Sequence, residues 1–210
     1  MNAPATVIVL AAGQASRFVG VGHKLAQALD GNDDSGRVLS VTLRNAIASG
    51  LPVLVVTSAA LAPLVHQQVA ARDVVVMPPS RNGGMGDSIS AAVSARADAS
   101  GWLLLPADMP RVRSTTLQQV ALALQTHAVA YAQHRGLRGH PVGFSSELFS
   151  ELVALTGDEG ARRLVARYPA QAIEVDDPGV LVDIDTVQDL AALRAVKGGS
   201  ALPTAPQQRL

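Results

Sequence analysis

The sequence predicts an α/β fold with a doubly wound, mostly parallel sheet and helices on both faces. Short apolar runs rich in β-branched residues alternate with segments long enough to be helices, which is the pattern of such folds. The run Trp102–Leu105 is apolar at every position, as is typical of a parallel strand buried on both faces. With 48% hydrophobic and 16% charged residues, the 210-residue chain has enough apolar material for one large core.

Six segments have the length and composition of strands. Between the first two, apolar residues at helical spacing predict a helix that ends before Gly50. A later helix is predicted to begin at Thr186, whose hydroxyl can cap the amide of Asp189. The predicted strands are Thr6–Leu10, Pro52–Thr57, Asp73–Met77, Trp102–Pro106, Ala128–Ala132 and Ala172–Val175.

Composition limits the classes of function. Lys and Arg total 17, as do Asp and Glu, and no basic run indicates a nucleic-acid or membrane surface. The absence of cysteine excludes thiolate catalysis, disulfides and cysteine metal sites. We expect one cytoplasmic domain over residues 1–197, because no signal peptide or membrane-spanning stretch is found, and a flexible tail over residues 198–210.

The loop after the first strand is the first candidate site. Its small residues let backbone amides approach a triphosphate, and cationic side chains can balance the phosphate charge. A glycine-rich strand-to-helix turn with solvated cations explains the pattern about as well. The candidate nucleotide-binding residues here are Leu10, Ala11, Ala12, Gly13, Ser16, Arg17 and Lys24.

Asp108 directly follows the most hydrophobic strand. In doubly wound folds, ligands bind at the carboxyl ends of the strands, so this carboxylate is well placed to hold Mg²⁺ against substrate phosphates. A structural alternative is that Asp108 caps the next helix. Near the C-terminal end of the chain, Asp183 and Asp185 lie two residues apart at the end of a predicted strand and would point the same way. Either one can complete the metal site, or both can cap the helix that follows.

Two further segments are polar and rich in glycine. Residues 82–88 open a predicted helix, and Gly86 and Ser88 there are candidates for binding a phosphate or a base. An ordinary helix entry explains this segment nearly as well. Residues 138–143 are interpreted as a small polar turn in which Arg138, Gly139 and His140 can face an acceptor. Taken singly, such a histidine is more often structural.

In these motifs the chain resembles the molybdenum cofactor nucleotidyltransferases, and within them the cytidylyltransferase branch. The resemblance runs from about Val7 to Leu193. Its blocks, in order, are VIVLAAG, NGGMGDSI, LLLPADMP, GHPVGF, GDEGARRLV and VDIDTVQDL. Ser16, Arg17 and Lys24 follow the first block as they do in that family, although the usual Arg-to-Lys spacing is five residues and here it is seven. The longer spacing implies a bulged loop.

The resemblance implies a Rossmann-like, nucleotide-diphospho-sugar transferase-like fold and transfer of CMP from CTP to a molybdopterin-type cofactor, with release of pyrophosphate. It implies Mg²⁺ as cofactor on Asp108, with Asp185 or Asp183 as a second ligand, and catalytic roles for Arg17 and Lys24. Alanine at both positions before Gly13 is similar to the form that accompanies CTP. A molybdoenzyme would then receive the product.

Three other hypotheses remain open at this point. The nucleotide can be GTP, and the acceptor can be a sugar phosphate or another cofactor. The chain can also be a non-catalytic protein that holds a nucleotide or finished cofactor and delivers it to a molybdoenzyme.

Overall fold

The computed structural model describes residues 4–13, 18, 22–29, 36–78 and 84–196. Seven strands form one sheet in the order β3-β2-β1-β4-β6-β5-β7. All pairs are parallel except those of β6, which runs antiparallel to both β4 and β5. The strands are β1 Thr6–Ala11, β2 Val53–Ser58, β3 Val74–Met77, β4 Gly101–Pro106, β5 Val129–His134, β6 Leu137–Ser145 and β7 Ala170–Glu174.

Helices cover both faces of this sheet, so the predicted fold class is confirmed. One core lies between the sheet and α1, α4 and α7, and the other between the sheet and α3, α5 and α6. We call these the α4 face and the α3 face. The α-helices are α1 Val38–Ile47, α2 Ala62–Val65, α3 Met85–Ala95, α4 Ser114–Ala123, α5 Phe149–Val153, α6 Arg162–Arg167 and α7 Val187–Val196.

Two predicted helices form for the expected reasons. Helix α1 buries Leu39, Leu43 and Ala46 and ends before Gly50. Before α7, the Thr186 hydroxyl accepts a hydrogen bond from the Asp189 amide, while the Asp189 carboxylate accepts one from the Thr186 amide. This reciprocal cap satisfies two amides that the helix itself leaves unpaired. Within the described residues, no helix is long and apolar enough to cross a bilayer.

Two sequence interpretations are wrong. Residues 138–143, interpreted as a turn, belong to β6, where Val142 and Phe144 are buried in the core on the α3 face. Residues 181–185, interpreted as the end of a strand, form no strand: Leu181 is the last residue of a short 3-10 helix, Pro178–Leu181, and residues 182–185 follow it. The apolar side chains there pack into the core on the α4 face, and the Ile184 amide donates to the carbonyl of Asp108.

The strand order places a crevice above β1 and β4. The chain moves from β1 outward to β2 and β3 and then returns to β4 on the other side of β1, so the strand order reverses between these two strands. In open α/β sheets, ligands bind at the carboxyl ends of the strands at such a point. The segments after β1 and β4 therefore border the expected binding site.

Candidate functional site

Lys24 joins two carboxylates at the reversal point of the sheet. Its Nζ lies 2.5 Å from Asp108 Oδ2 and 3.2 Å from Asp185 Oδ1. Lys24 begins a short 3-10 helix after β1, Asp108 follows β4, and Asp185 precedes α7. Only 13%, 16% and 21% of these side chains are exposed, respectively, so the pairs are shielded from most of the solvent. The structure thus brings together three residues that lie far apart in the sequence.

The protonation states in this cluster follow from charge and burial. Burial disfavours the charge on Lys24, but the facing carboxylates, Asp108 first, outweigh it and raise the pKa of Lys24. Asp183 lies in the same neighbourhood, where burial and then the charges of Asp108 and Asp185 raise its pKa. The cluster therefore carries concentrated negative charge around one ammonium group.

One oxygen of this cluster has no protein partner in the described part of the chain. Asp108 Oδ1 is buried and forms no hydrogen bond there. A buried carboxylate oxygen is costly to leave unpaired, so this atom is suited to bind a cation or to accept a hydrogen bond from a water molecule. The alternative that Asp108 caps the next helix is wrong, because α4 begins only at Ser114 and the Asp108 carboxylate bonds to Lys24.

The loop after β1 is closed at its base by His23. The His23 Nδ1 accepts a hydrogen bond from the Leu25 amide at 3.2 Å, so Nε2 carries the proton and donates to the Gly13 carbonyl at 3.1 Å. Sequence reasoning missed this residue, because a single histidine beside a lysine carries no pattern. Ser16 and Arg17, with the bulge predicted between Arg17 and Lys24, lie outside the described residues.

The residues at the base of that loop differ in exposure. Leu10 and Ala12 are half-buried, and Gly13 is exposed. Ala11 is buried at the carboxyl end of β1, where it belongs to the core on the α4 face. The exposed backbone therefore begins next to the Lys24 cluster.

The start of α3 is joined to a second loop by Asp87. The Asp87 Oδ2 atom accepts hydrogen bonds from the amides of Gly84 at 2.8 Å and Gly157 at 3.1 Å. A Cβ atom on Gly84 would lie 2.2 Å from the Gly157 carbonyl, so only glycine permits this approach. Gly86 meets the carbonyl of Thr156 in the same way, at 2.7 Å from the position of a Cβ.

Neither of the two nucleotide-binding candidates in α3 is exposed to solvent. Gly86 and Ser88 are buried, and the Ser88 hydroxyl donates to the Gly84 carbonyl at 3.3 Å. The Ser88 hydroxyl is therefore already bonded within the helix. Sequence reasoning also missed Asp87, although a carboxylate three residues after the residue that precedes a helix is a known capping signal.

The acceptor candidates lie on β6. Since β6 runs opposite to its neighbours, its first residues lie at the edge where the other strands end. The Arg138 guanidinium stacks over the Tyr131 ring, 4.7 Å from its centroid. His140 is half-buried, and burial, followed by the charge of Arg138, lowers the pKa of His140 to about 4. The imidazole is therefore neutral at physiological pH.

Gly139 is a point of close backbone contact. A Cβ there would lie 2.2 Å from the Val180 carbonyl oxygen, so β6 and the 3-10 helix at Pro178–Leu181 pack together without an intervening side chain. This contact connects the acceptor candidates to the segment that leads to Asp185.

The described residues contain no group of three or more His, Cys, Asp or Glu side chains arranged to hold a metal ion. A metal at Asp108 and Asp185 would need further ligands, which a substrate or water can supply. Mg²⁺ is commonly bound in this way, through one or two carboxylates together with phosphate oxygens.

Comparison with known proteins identifies the family of this chain. The sequence profile of the MobA-like NTP transferase domain matches residues 7–173. Purine catabolism protein PucB of Bacillus subtilis (strain 168) is 34% identical over 116 residues, which cover 53% of this chain and 56% of PucB. The chain thus spans about half the length of this curated relative.

Solved structures share the fold over nearly the whole chain. Rv0371c from Mycobacterium tuberculosis H37Rv is 29% identical, with a TM-score of 0.74 over 91% of this chain and 98% of that one. The complex of Rv0371c with manganese is 27% identical, with a TM-score of 0.71 over 92% and 98% of the two chains.

Molybdopterin-guanine dinucleotide biosynthesis protein A from Archaeoglobus fulgidus is 16% identical, with a TM-score of 0.67 over 93% of this chain and 100% of that one, which shows the fold alone. The profile match, in contrast, is a match of the sequence itself over residues 7–173. On that match, the chain belongs to the MobA-like NTP transferase domain family.

Proposed function

We propose that the protein is a magnesium-dependent nucleotidyltransferase that transfers CMP from CTP to a molybdopterin-type cofactor and releases pyrophosphate. The observation that carries this proposal is the placement of Lys24 between Asp108 and Asp185 at the reversal point of the sheet. Such a site offers both signs of charge that a metal-bound triphosphate requires. Membership in the MobA-like family supports the reaction class.

The residues present fit a divalent cation. Asp108 and Asp185 would hold it, and the unpartnered Asp108 Oδ1 offers an oxygen that needs a cation or a donor. When bound, the ion would neutralise charge on the phosphates of the nucleotide. The manganese complex of Rv0371c supports a divalent metal at a related fold.

The chain's own groups then have distinct tasks. In the transfer, a phosphate oxygen of the acceptor bonds to the α-phosphorus of CTP, the bond from that phosphorus to the bridging oxygen of the β-phosphate breaks, and pyrophosphate leaves with both electrons of that bond. Lys24, whose ammonium group the facing carboxylates keep charged despite burial, stabilises the charge on the departing pyrophosphate. We assign the same task to Arg17, which belongs to the loop after β1 that His23 closes at its base.

The preference for CTP rests on the sequence Ala11-Ala12-Gly13 at the end of β1. The acceptor assignment rests on Arg138, Gly139 and His140, which β6 places at the same edge as Asp108. A molybdoenzyme would be the recipient of the finished cofactor.

The test is pyrophosphate release by the purified protein with Mg²⁺, a molybdopterin-type acceptor and CTP, GTP, ATP or UTP in separate reactions. Release with CTP and no other nucleotide is the expected result. Release with GTP alone would show that the substrate is GTP and not CTP. No release with any of the four, together with tight binding of nucleotide or cofactor, would instead indicate a non-catalytic protein that delivers the bound molecule to a molybdoenzyme. Each reaction is repeated with EDTA, which is expected to stop release.

A further inference from the structure

Arg138 and Arg162 lie at the same edge of the sheet as the Lys24 cluster. Arg138 is near the start of the reversed strand β6, and this end adjoins the carboxyl ends of the parallel strands. Arg162 begins α6, which leads back to the start of β7, so the beginning of this helix lies at the edge where β7 ends. Topology alone thus places both arginines at the ligand-binding edge.

Both arginines are on the α3 face. Arg138 pairs with Gln133 of β5, and Tyr131, two residues earlier on the same strand, packs against the core of this face. Helix α6 buries Leu164 in that same core. The Lys24 cluster adjoins the other core, since Leu25, Ala107 and Ile184 are all buried there. The two sets of charged groups therefore flank the crevice from opposite faces.

The two guanidinium groups have no anionic partner in the described part of the chain. Most other arginines there bond to a carboxylate or a carbonyl, as Arg96 does to Asp73. Arg138 contacts only the Tyr131 ring, and no hydrogen bond or ion pair involves Arg162. Burial lowers the pKa of Arg138, Tyr131 opposes this effect, and repulsion by the charge of Arg162 lowers the pKa a little further. An anion between them would relieve that repulsion.

The position of Arg162 is set by rigid neighbours. The loop that precedes α6 is attached to the start of α3 through Asp87, which bonds to the amides of Gly84 and Gly157. Ala161, the residue before Arg162, is buried in the core on the α3 face. Arg162 therefore extends from a fixed backbone, and Arg138 is held by its stacking on Tyr131.

We propose that Arg138 and Arg162 together form an anion subsite for the phosphate monoester of the acceptor, separate from the site for the nucleotide triphosphate. The proposal rests on the proposed function, since it assigns the acceptor side of that reaction. Guanidinium groups suit this task because their planar N–H donors match phosphate oxygens in pairs. The triphosphate is assigned to the opposite side of the crevice, where Lys24 and the loop after β1 lie.

The experiment measures acceptor binding and nucleotide binding separately. Binding of a molybdopterin-type acceptor is followed by equilibrium dialysis without nucleotide, and binding of CTP with Mg²⁺ is followed by calorimetry. The variants are Arg162→Gln, Arg162→Lys and Arg138→Gln. Arg163→Gln is the control, because it removes the same charge one residue further along α6. Thermal unfolding checks that each variant folds.

The proposal expects Arg162→Gln and Arg138→Gln each to weaken acceptor binding at least about 10-fold. Arg162→Lys should lose less, Arg163→Gln should bind as the unchanged protein does, and the affinity for CTP should change less than about twofold in all four. Inorganic phosphate should compete with the acceptor only while both arginines are present. Equal losses of acceptor affinity in Arg162→Gln and Arg163→Gln, or a loss of CTP affinity above about twofold, would overturn the proposal.

A failure of this proposal can be distinguished from a failure of the proposed function. If no nucleotide supports pyrophosphate release, the dialysis measurement still shows whether the arginine pair binds a phosphorylated cofactor. If transfer occurs, the Arg162→Gln variant should raise the KM for the acceptor and leave the KM for CTP unchanged.

Discussion

Replacing Asp177 by alanine is expected to destabilise the fold by about 3–5 kcal/mol, the usual cost of removing one partner from a buried charged network. Asp177 is only 2% exposed. Its Oδ2 atom accepts hydrogen bonds from the Arg113 amide at 2.8 Å and the Thr116 hydroxyl at 2.6 Å, and its Oδ1 atom accepts one from the Gly179 amide at 3.0 Å. The carboxylate thereby ties the start of α4 to the segment that leads to Asp185.

The magnitude follows from what the substitution leaves behind. Alanine strips three donors of their acceptor, and two of them are backbone amides that cannot turn toward water without moving the chain. Hydrogen bonds to a charged group contribute about 1.5–3 kcal/mol each, and partial entry of water lowers their sum to the range given. Thr116→Val removes one donor and leaves the others paired, so it should cost only about 1 kcal/mol.

Urea unfolding measures these differences, and the fluorescence of Trp102 reports them because it is the single tryptophan and is fully buried. In a chain of this size, a loss of 4 kcal/mol corresponds to a fall in Tm of roughly 8–16 °C. The double variant Asp177→Ala, Thr116→Val should lose less stability than the sum of the two single variants, because Asp177 and Thr116 are joined by a hydrogen bond. A loss below about 1 kcal/mol for Asp177→Ala, at an unchanged urea slope, would refute this reasoning.

Three further predictions concern the site. Asp108→Asn should lower kcat about 100- to 1,000-fold in the pyrophosphate assay without lowering Tm by more than a few degrees, whereas the exposed control Asp98→Asn should match the unchanged protein. The pKa of His140 is lowered from 6.5 to about 4, so the folded protein disfavours protonation of this imidazole. Its effect on the free energy of unfolding is therefore absent above pH 6.5, and the protein loses stability as the pH falls toward 4, by at most about 3 kcal/mol. Urea midpoints at pH 7 and 4.5 should therefore differ less in His140→Gln than in the control His127→Gln. Gly139→Ala should destabilise the fold by about 1–3 kcal/mol, since its Cβ would lie 2.2 Å from a backbone carbonyl oxygen, and unchanged urea unfolding would contradict that contact.

The fold was predictable from the sequence because its strands are short, apolar and separated by helices. All six predicted strands are present to within about two residues. The seventh, β6, was missed because its first half contains glycine, proline and polar residues, which usually mark a turn. Nothing local indicates that this segment lies between two other strands, since pairing with β4 and β5 is a long-range property.

The predicted strand before Asp185 failed for the opposite reason. Residues 182–185 alternate apolar and acidic side chains, as a half-buried strand does, but this segment runs beside Asp108, after β4, where the Ile184 amide donates to the Asp108 carbonyl and no strand pairing forms. Val182 and Ile184 pack against the core without any strand pairing. Local alternation reports which side chains are buried and does not report which backbone they pair with.

The candidate site was predictable where one residue followed one strand, as Asp108 follows β4. What could not be predicted was that Lys24 would lie between Asp108 and Asp185, because that arrangement joins three separate segments. The roles of His23 and Asp87 were hidden for the same reason, as each bonds to backbone groups well away in the sequence.

Strand β6 carries a bulge that has an evolutionary consequence. Between the pairs Tyr131–Val142 and Gln133–Arg138, one residue of β5 faces three of β6, so the paired segments have unequal lengths here. A bulge takes up such a difference locally and leaves the pairs on either side of it in register. Gain or loss of one of these three residues can therefore leave Arg138 paired with Gln133 and Val142 paired with Tyr131. The length of β6 can thus change at this position in evolution while its pairing with β4, the strand that precedes Asp108, is kept.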